Sequence, residues 1–185
     1  MNKRSVLAVA VALMCGFCAL QAPAATDPMV GGAAMYPTKN IVENAVNSKD
    51  HTTLVAAVKA AGLVDTLESP GPFTVFAPTN EAFDKLPAGT VDTLLKPENL
   101  AQLKKILTYH VVAGRLTAKD IAKQIKAGGG KAALTTVEGG TLTAMMQGGK
   151  LVLTDEKGGT ATVTIANVNQ SNGEIQVIDT VLMPN

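Results

Sequence analysis

His51 and His110, with Cys15 and Cys18, are the residues in this 185-residue chain best suited to nucleophilic or metal chemistry. The cysteines have the C-x-x-C spacing of redox pairs. They lie inside an uncharged apolar run, Val6 to Leu20, with no cation nearby to lower a thiol pKa. Two histidines alone make no ordinary zinc site unless carboxylates complete it. The chain contains no H-E-x-x-H, G-x-S-x-G, Walker loop or G-x-G-x-x-G. Glu81 and Asp84, three apart on an expected helix, share a face, as glycosidase carboxylates can. In a first helical turn they also complement the helix dipole, and that role is sufficient. Ser48, Ser69 and Ser171 fall in turns or at helix boundaries. No nucleophile–base pair or metal set emerges, so these residues argue against an enzyme and call for no cofactor. His110 stands where a helix runs into a strand. There it is either a buried ring satisfied by backbone or a polar contact in a partner site, and it lacks the second group catalysis needs.

The N-terminus reads as an export signal. Lys3 and Arg4 precede the apolar run, and Ala22-Pro23-Ala24 supplies small residues for a peptidase. At about 15 residues the run is shorter than the roughly 20 of a membrane-spanning helix. Residues 1–24 are therefore the expected signal peptide. The chain from Ala25 on would be secreted or periplasmic, with no integral membrane span. It holds no cysteine, and without Lys3 and Arg4 its basic residues fall one short of its 15 acidic ones. That near-neutral balance leaves no electrostatic footprint for nucleic acid. With no tryptophan, two tyrosines and three phenylalanines, the fourth (Phe17) lying in the signal, it also lacks a base-stacking platform. A chain of this length forms one domain and can bury an ordinary core without disulfides.

Several elements must position these side chains. Residues 25–37, rich in Gly, Ala and Pro, read as a flexible leader. Helices are expected over Asn40–Val46 and Thr52–Ala61, the second with Leu54, Val55 and Val58 on one face and Gly62 as its cap. The stretch "TVFAPTNEAF", Thr74 to Phe83, runs a strand into Pro78, which has no N–H to give a ladder. Thr79 or Asn80 then caps the next helix, and Phe83 turns back to pack under the strand. Short helices follow near Glu81–Leu86 and Val91–Leu95. A longer one begins with Pro97 in its first turn and carries Leu100, Leu103, Ile106 and Leu107. Thr117 to Asp120 reads as a capping box opening a helix to Lys126. Beyond Gly128-Gly129-Gly130 the period changes to two. Strands are expected over Leu134–Val137, Leu142–Met146, Leu151–Thr154, Thr160–Ile165 and Ile175–Met183, divided by hairpin glycines. Helices first and strands second indicate α+β with mostly antiparallel pairing.

Three segments carry a resemblance: "GPFTVFAPTNEAF" (Gly71–Phe83), "LTYHVVAG" (Leu107–Gly114) and "SNGEIQVIDTVLMP" (Ser171–Pro184). In this order they resemble the signature blocks of the fasciclin domain, and "NIVENAV" and "TLVAAVKAAGLVDTL" resemble its opening helices. The resemblance covers about residues 38–184. It implies a β-sandwich or wedge of short strands with a layer of α-helices. It also implies a non-enzymatic adhesion or interaction module of the cell exterior, of a kind that bacteria use in surface attachment or symbiosis. The partner would be an extracellular matrix component, a surface protein or a glycan. Some members bind carotenoids, so a carrier of a lipid or pigment is the alternative. Tyr109 and His110 match the tyrosine–histidine pair tied to adhesion in animal members. The Asp-Ile determinant is absent, since its place reads Asn167-Val168, and Gln176 replaces the histidine of the last block. The expected binding residues are Thr79, Asn80, Tyr109 and His110, on a shallow apolar surface with Asn80 and His110 as polar contacts.

Overall fold

The computed structural model describes residues 27–185. The expected signal peptide lies outside them. The chain enters through a hairpin of β1 (Met29–Val30) and β2 (Ala33–Ala34), whose turn residues Gly31 and Gly32 take φ of 59° and 76°. The hairpin falls within residues 25–37, the expected leader, of which 27–37 are described. Val30 and Met35 are buried in the core, so the segment has apolar side chains to anchor it.

A helical layer follows. α1 (Ile41–Ala45) opens with a complete capping box from Asn40 and Glu43. α2 (Thr52–Ala60) ends at Gly62, where φ is 66°. α3 (Val64–Glu68) leads into β3 (Phe73–Pro78), and α4 (Asn80–Asp84) and α5 (Thr90–Leu94) come next. α6 (Leu100–Tyr109) passes directly into β4 (Val111–Ala113). α7 (Ala118–Ala127) carries the capping box at Thr117 and Asp120.

The strands β5 (Lys131–Thr135), β6 (Thr141–Gln147), β7 (Lys150–Thr154), β8 (Thr160–Gln170) and β9 (Gly173–Ile178) complete a seven-stranded sheet in the order β4-β3-β9-β8-β7-β6-β5. All its neighbours are antiparallel except β3 and β9. A bridge between Val112 and Thr136, with Val137 N donating to Val111 O at 2.7 Å, draws β4 towards β5 and nearly closes the sheet. The fold is thus α+β as expected, its short strands forming a nearly closed seven-stranded sheet beside a layer of helices.

β3 shows how the sequence pattern meets this topology. Val75 and Ala77 face the core shared with the helices, while Phe76 enters the core inside the curled sheet. The expected stop at Pro78 is displaced by one pairing, for pairing with β9 runs through Pro78 opposite Ile178. Thr79 N donates to the β9 side and Phe76 N to the β4 side. By alternation the proline's missing N–H points to the β4 side, beyond the end of β4, where no ladder bond is lost. β8 extends to Gln170 through irregular register around Asn167, which takes φ of 60°. β9 stops at Ile178, short of the expected Met183.

Candidate functional site

The β3–α4 junction turns its polar groups inward on its own backbone. Thr79 caps α4, its hydroxyl accepting from Ala82 N at 3.3 Å. Asn80 Oδ1 accepts from Thr53 N at 3.1 Å and from the Thr52 hydroxyl at 3.2 Å, and Asn80 Nδ2 donates to Lys49 O at 2.8 Å. Asn80 therefore caps the start of α2 and ties that helix to the end of β3.

Tyr109 and His110 are buried. The Tyr109 hydroxyl donates to Thr141 O at 2.9 Å and accepts from Glu156 N at 3.2 Å, inside the core enclosed by the sheet. Burial pushes its pKa up to about 12. His110 is 2 % exposed. Its Nε2 accepts from Leu182 N at 3.0 Å, which leaves Nδ1 to carry the proton and donate to Ile106 O at 2.8 Å. Burial holds its pKa down at about 4, so the ring is neutral at physiological pH. The four expected binding residues share no hydrogen-bond partner. They do not meet on one exposed surface, because the segment after β9 covers the histidine and the curled sheet covers the tyrosine.

What lies between the helices and the sheet is an apolar cleft of about 60 Å³. Leu54, Val55 and Val58 of α2, Leu107 of α6, Val75 of β3 and Ile175 of β9 line it, and His110 backs it with both ring nitrogens already bonded. The lining reaches exposed Lys59, Thr66 and Val137, so the cleft opens to the surface. The sequence held one trace of it. The α2 stripe was legible as a core face, but Val55 is only half-buried because the cleft lies in front of it.

Two further polar groups are buried, of which the one at Glu174 had no signal in the sequence and the one at His51 was noted there. Glu174 is fully buried, with Gln176 Nε2 donating to its Oε1 at 3.0 Å and Arg115 Nε 3.9 Å from its Oε2. Burial raises its pKa, and Arg115 only partly offsets that. Arg115 Nη2 also donates to Gln170 O at 2.9 Å and Gly173 O at 3.0 Å, clasping the β8–β9 turn. His51 Nδ1 lies 2.9 Å from the Ser48 hydroxyl, and both are buried. Its pKa is lowered by burial. A serine and histidine sealed from solvent cannot reach a substrate, so the pair is structural. Among the described residues no group of three or more His, Cys, Asp or Glu side chains could hold a metal ion.

This architecture, with its paired β3 and β9 and its layer of short helices, is that of a known domain class. The Fasciclin domain profile matches residues 49–184, and the chain belongs to the fasciclin family. It is 49 % identical to Protein sll1483 of Synechocystis over 157 residues, covering 84 % of this chain and 79 % of that protein. It is 35 % identical to Immunogenic protein MPB70 of Mycobacterium bovis, covering 90 % and 88 %. Identity to the cell surface glycolipoprotein MPB83 of the same species is also 35 %, over 86 % of this chain and 62 % of that protein. A FAS1 domain pair from the insect cell adhesion molecule Fasciclin I superposes with a TM-score of 0.69 at 21 % identity, over 78 % of this chain and 51 % of that one. Fasciclin domains are generally non-catalytic. Among the described residues no helix is long and apolar enough to cross a membrane.

Proposed function

We propose that this protein is a non-enzymatic binding domain of the cell exterior that carries a hydrophobic small molecule in the cleft between its helices and its sheet. The apolar recess that opens to the surface is the observation that carries this reading. Ligand sites are concave and mostly apolar, with few polar groups, whereas the polar residues of the expected site are committed to internal hydrogen bonds. Export to the periplasm or beyond follows from the N-terminal signal. The test is an organic extract and absorbance spectrum of protein purified after export by its own signal. Recovery of a stoichiometric lipid or pigment, lost in Val55→Phe, supports the carrier. Failure of the folded protein to retain or take up any apolar compound refutes it.

A second reading is an adhesion or interaction module that recognises a matrix component, surface protein or glycan. Kinship with a cell surface glycolipoprotein and the fold shared with an insect adhesion molecule favour it. Its contacts would come from exposed side chains rather than from Tyr109 and His110. Attachment of protein-coated beads, unchanged by Val55→Phe, separates it from the carrier.

A further inference from the structure

Resting on the carrier reading, we propose that the cleft takes a single aliphatic chain ending in a carboxylate, with Lys59 at the mouth as the carboxylate's partner. Three features lead there.

The first is the interior. Its walls are apolar, with Phe73 and Phe76 among the aliphatic side chains; His110 has no free nitrogen to offer, and the Thr108 hydroxyl donates to Lys104 O at 2.9 Å. A ligand's polar group would be stranded inside without a hydrogen bond, which is strongly unfavourable. The polar end must therefore stay at the mouth.

The second is the mouth. Lys59 is the one charged residue that lines the cleft, and no Asp or Glu lines it. Among the described residues Lys59 takes part in none of the ion pairs, which join Lys105 to Glu138, Arg115 to Glu174 and Lys123 to Asp120. The nearest acids in sequence, Asp50, Asp65 and Glu68, are exposed and outside the lining. A lysine at the rim of an apolar recess lays its stem along the wall and keeps its ammonium in water. There it complements an anionic head group. Thr66, also exposed on the rim, adds a hydroxyl donor.

The third is size. The cleft holds about 60 Å³, well below the roughly 150 Å³ of a dry protein cavity that accepts benzene. A ring does not enter unless α1 to α3 move outward. A methylene chain does, with its last few carbons inside and the remainder along Val55, Val64 and Val137 towards Lys59. This selects a single-chain fatty acid over a ring-ended pigment.

The experiment titrates delipidated protein at neutral pH with octanoate, octanol and β-carotene, following heat and thermal unfolding. Octanoate is expected to bind saturably and to raise the unfolding temperature. Lys59→Glu should weaken octanoate by about fivefold, the upper end for an exposed ion pair, and leave octanol unchanged. Val55→Phe should abolish both while circular dichroism stays that of the wild type; Ala45→Leu, also on the lining, replaces it if it misfolds. Octanoate binding that ignores Lys59→Glu overturns the carboxylate assignment and leaves the carrier reading standing. Carotene uptake with no octanoate binding overturns the single-chain ligand, again without touching the carrier. No binding of any of the three overturns both.

Discussion

Replacing His110 with alanine is the perturbation whose size the structure defines best. The ring supplies the hydrogen-bond partner of Leu182 N–H and of the Ile106 carbonyl at the end of α6. Each buried group left without a partner costs about 1–3 kcal/mol, so the variant loses about 4 kcal/mol at neutral pH. The loss is also pH-dependent. Burial holds the folded-state pKa at about 4 against an ordinary 6.5. The unfolded chain therefore takes up a proton between 6.5 and 4 that the folded protein refuses. The neutral ring's contribution is whole above 6.5 and drains away as pH falls towards 4. At about 1.36 kcal/mol per pH unit, that drain reaches about 3 kcal/mol. His51 shifts in the same direction and Glu174 in the opposite one, so only the difference between wild type and variant is diagnostic. Urea unfolding of both proteins above pH 7 and near pH 4 provides it. The gap of about 4 kcal/mol should shrink to about 1 kcal/mol in acid. A gap of the same size at both pH values refutes the buried, neutral assignment, and with it the claim that this residue is structural.

Other substitutions probe separate parts of the fold. Asn80→Ala removes the cap of α2 and should cost about 1 kcal/mol in urea unfolding without changing octanoate affinity; a change in affinity would return Asn80 to the binding site. Gly173→Ala places a Cβ 2.1 Å from the Phe73 carbonyl oxygen in the adjacent strand. It should lower stability by about 2–3 kcal/mol, and a wild-type melting temperature would contradict the tight β3–β9 approach. Phe76→Ala empties the core inside the sheet and should cost about 3–5 kcal/mol by the same assay. At Glu174 the raised pKa means that stability present in acid is lost as pH rises through the folded-state value. Glu174→Gln should therefore match the wild type in mild acid and exceed it at alkaline pH, whereas a variant weaker at alkaline pH would show that the Arg115 pair is net stabilising.

Local rules carried the sequence reading a long way. Capping residues at Thr79 and Thr117, the helical stripes of α2 and α6 and the hairpin glycines each act within a few residues, and each element formed where those signals fall. What was hidden depends on distant segments. A buried His110 was one of the two readings open, but the partners that close over the pair, Leu182 for His110 and Thr141 for Tyr109, lie 72 and 32 residues away. The β1–β2 hairpin has the composition of a loose tail, and only the core it meets holds Val30 and Met35. The parallel β3–β9 pairing leaves no mark on either strand's own pattern. The cleft is a space between α2, α6 and the sheet, and sequence periodicity reports faces, not gaps.

Methyl-resolved NMR of the delipidated protein titrated with octanol measures the central claim most directly, because it locates an apolar ligand without relying on any variant. Shifts confined to Leu54, Val55, Val58, Val75, Leu107 and Ile175 are the expected result. Shifts confined to methyls outside that set, such as Leu142, Ala144 and Leu153 inside the curled sheet, or no shifts at all, would contradict it.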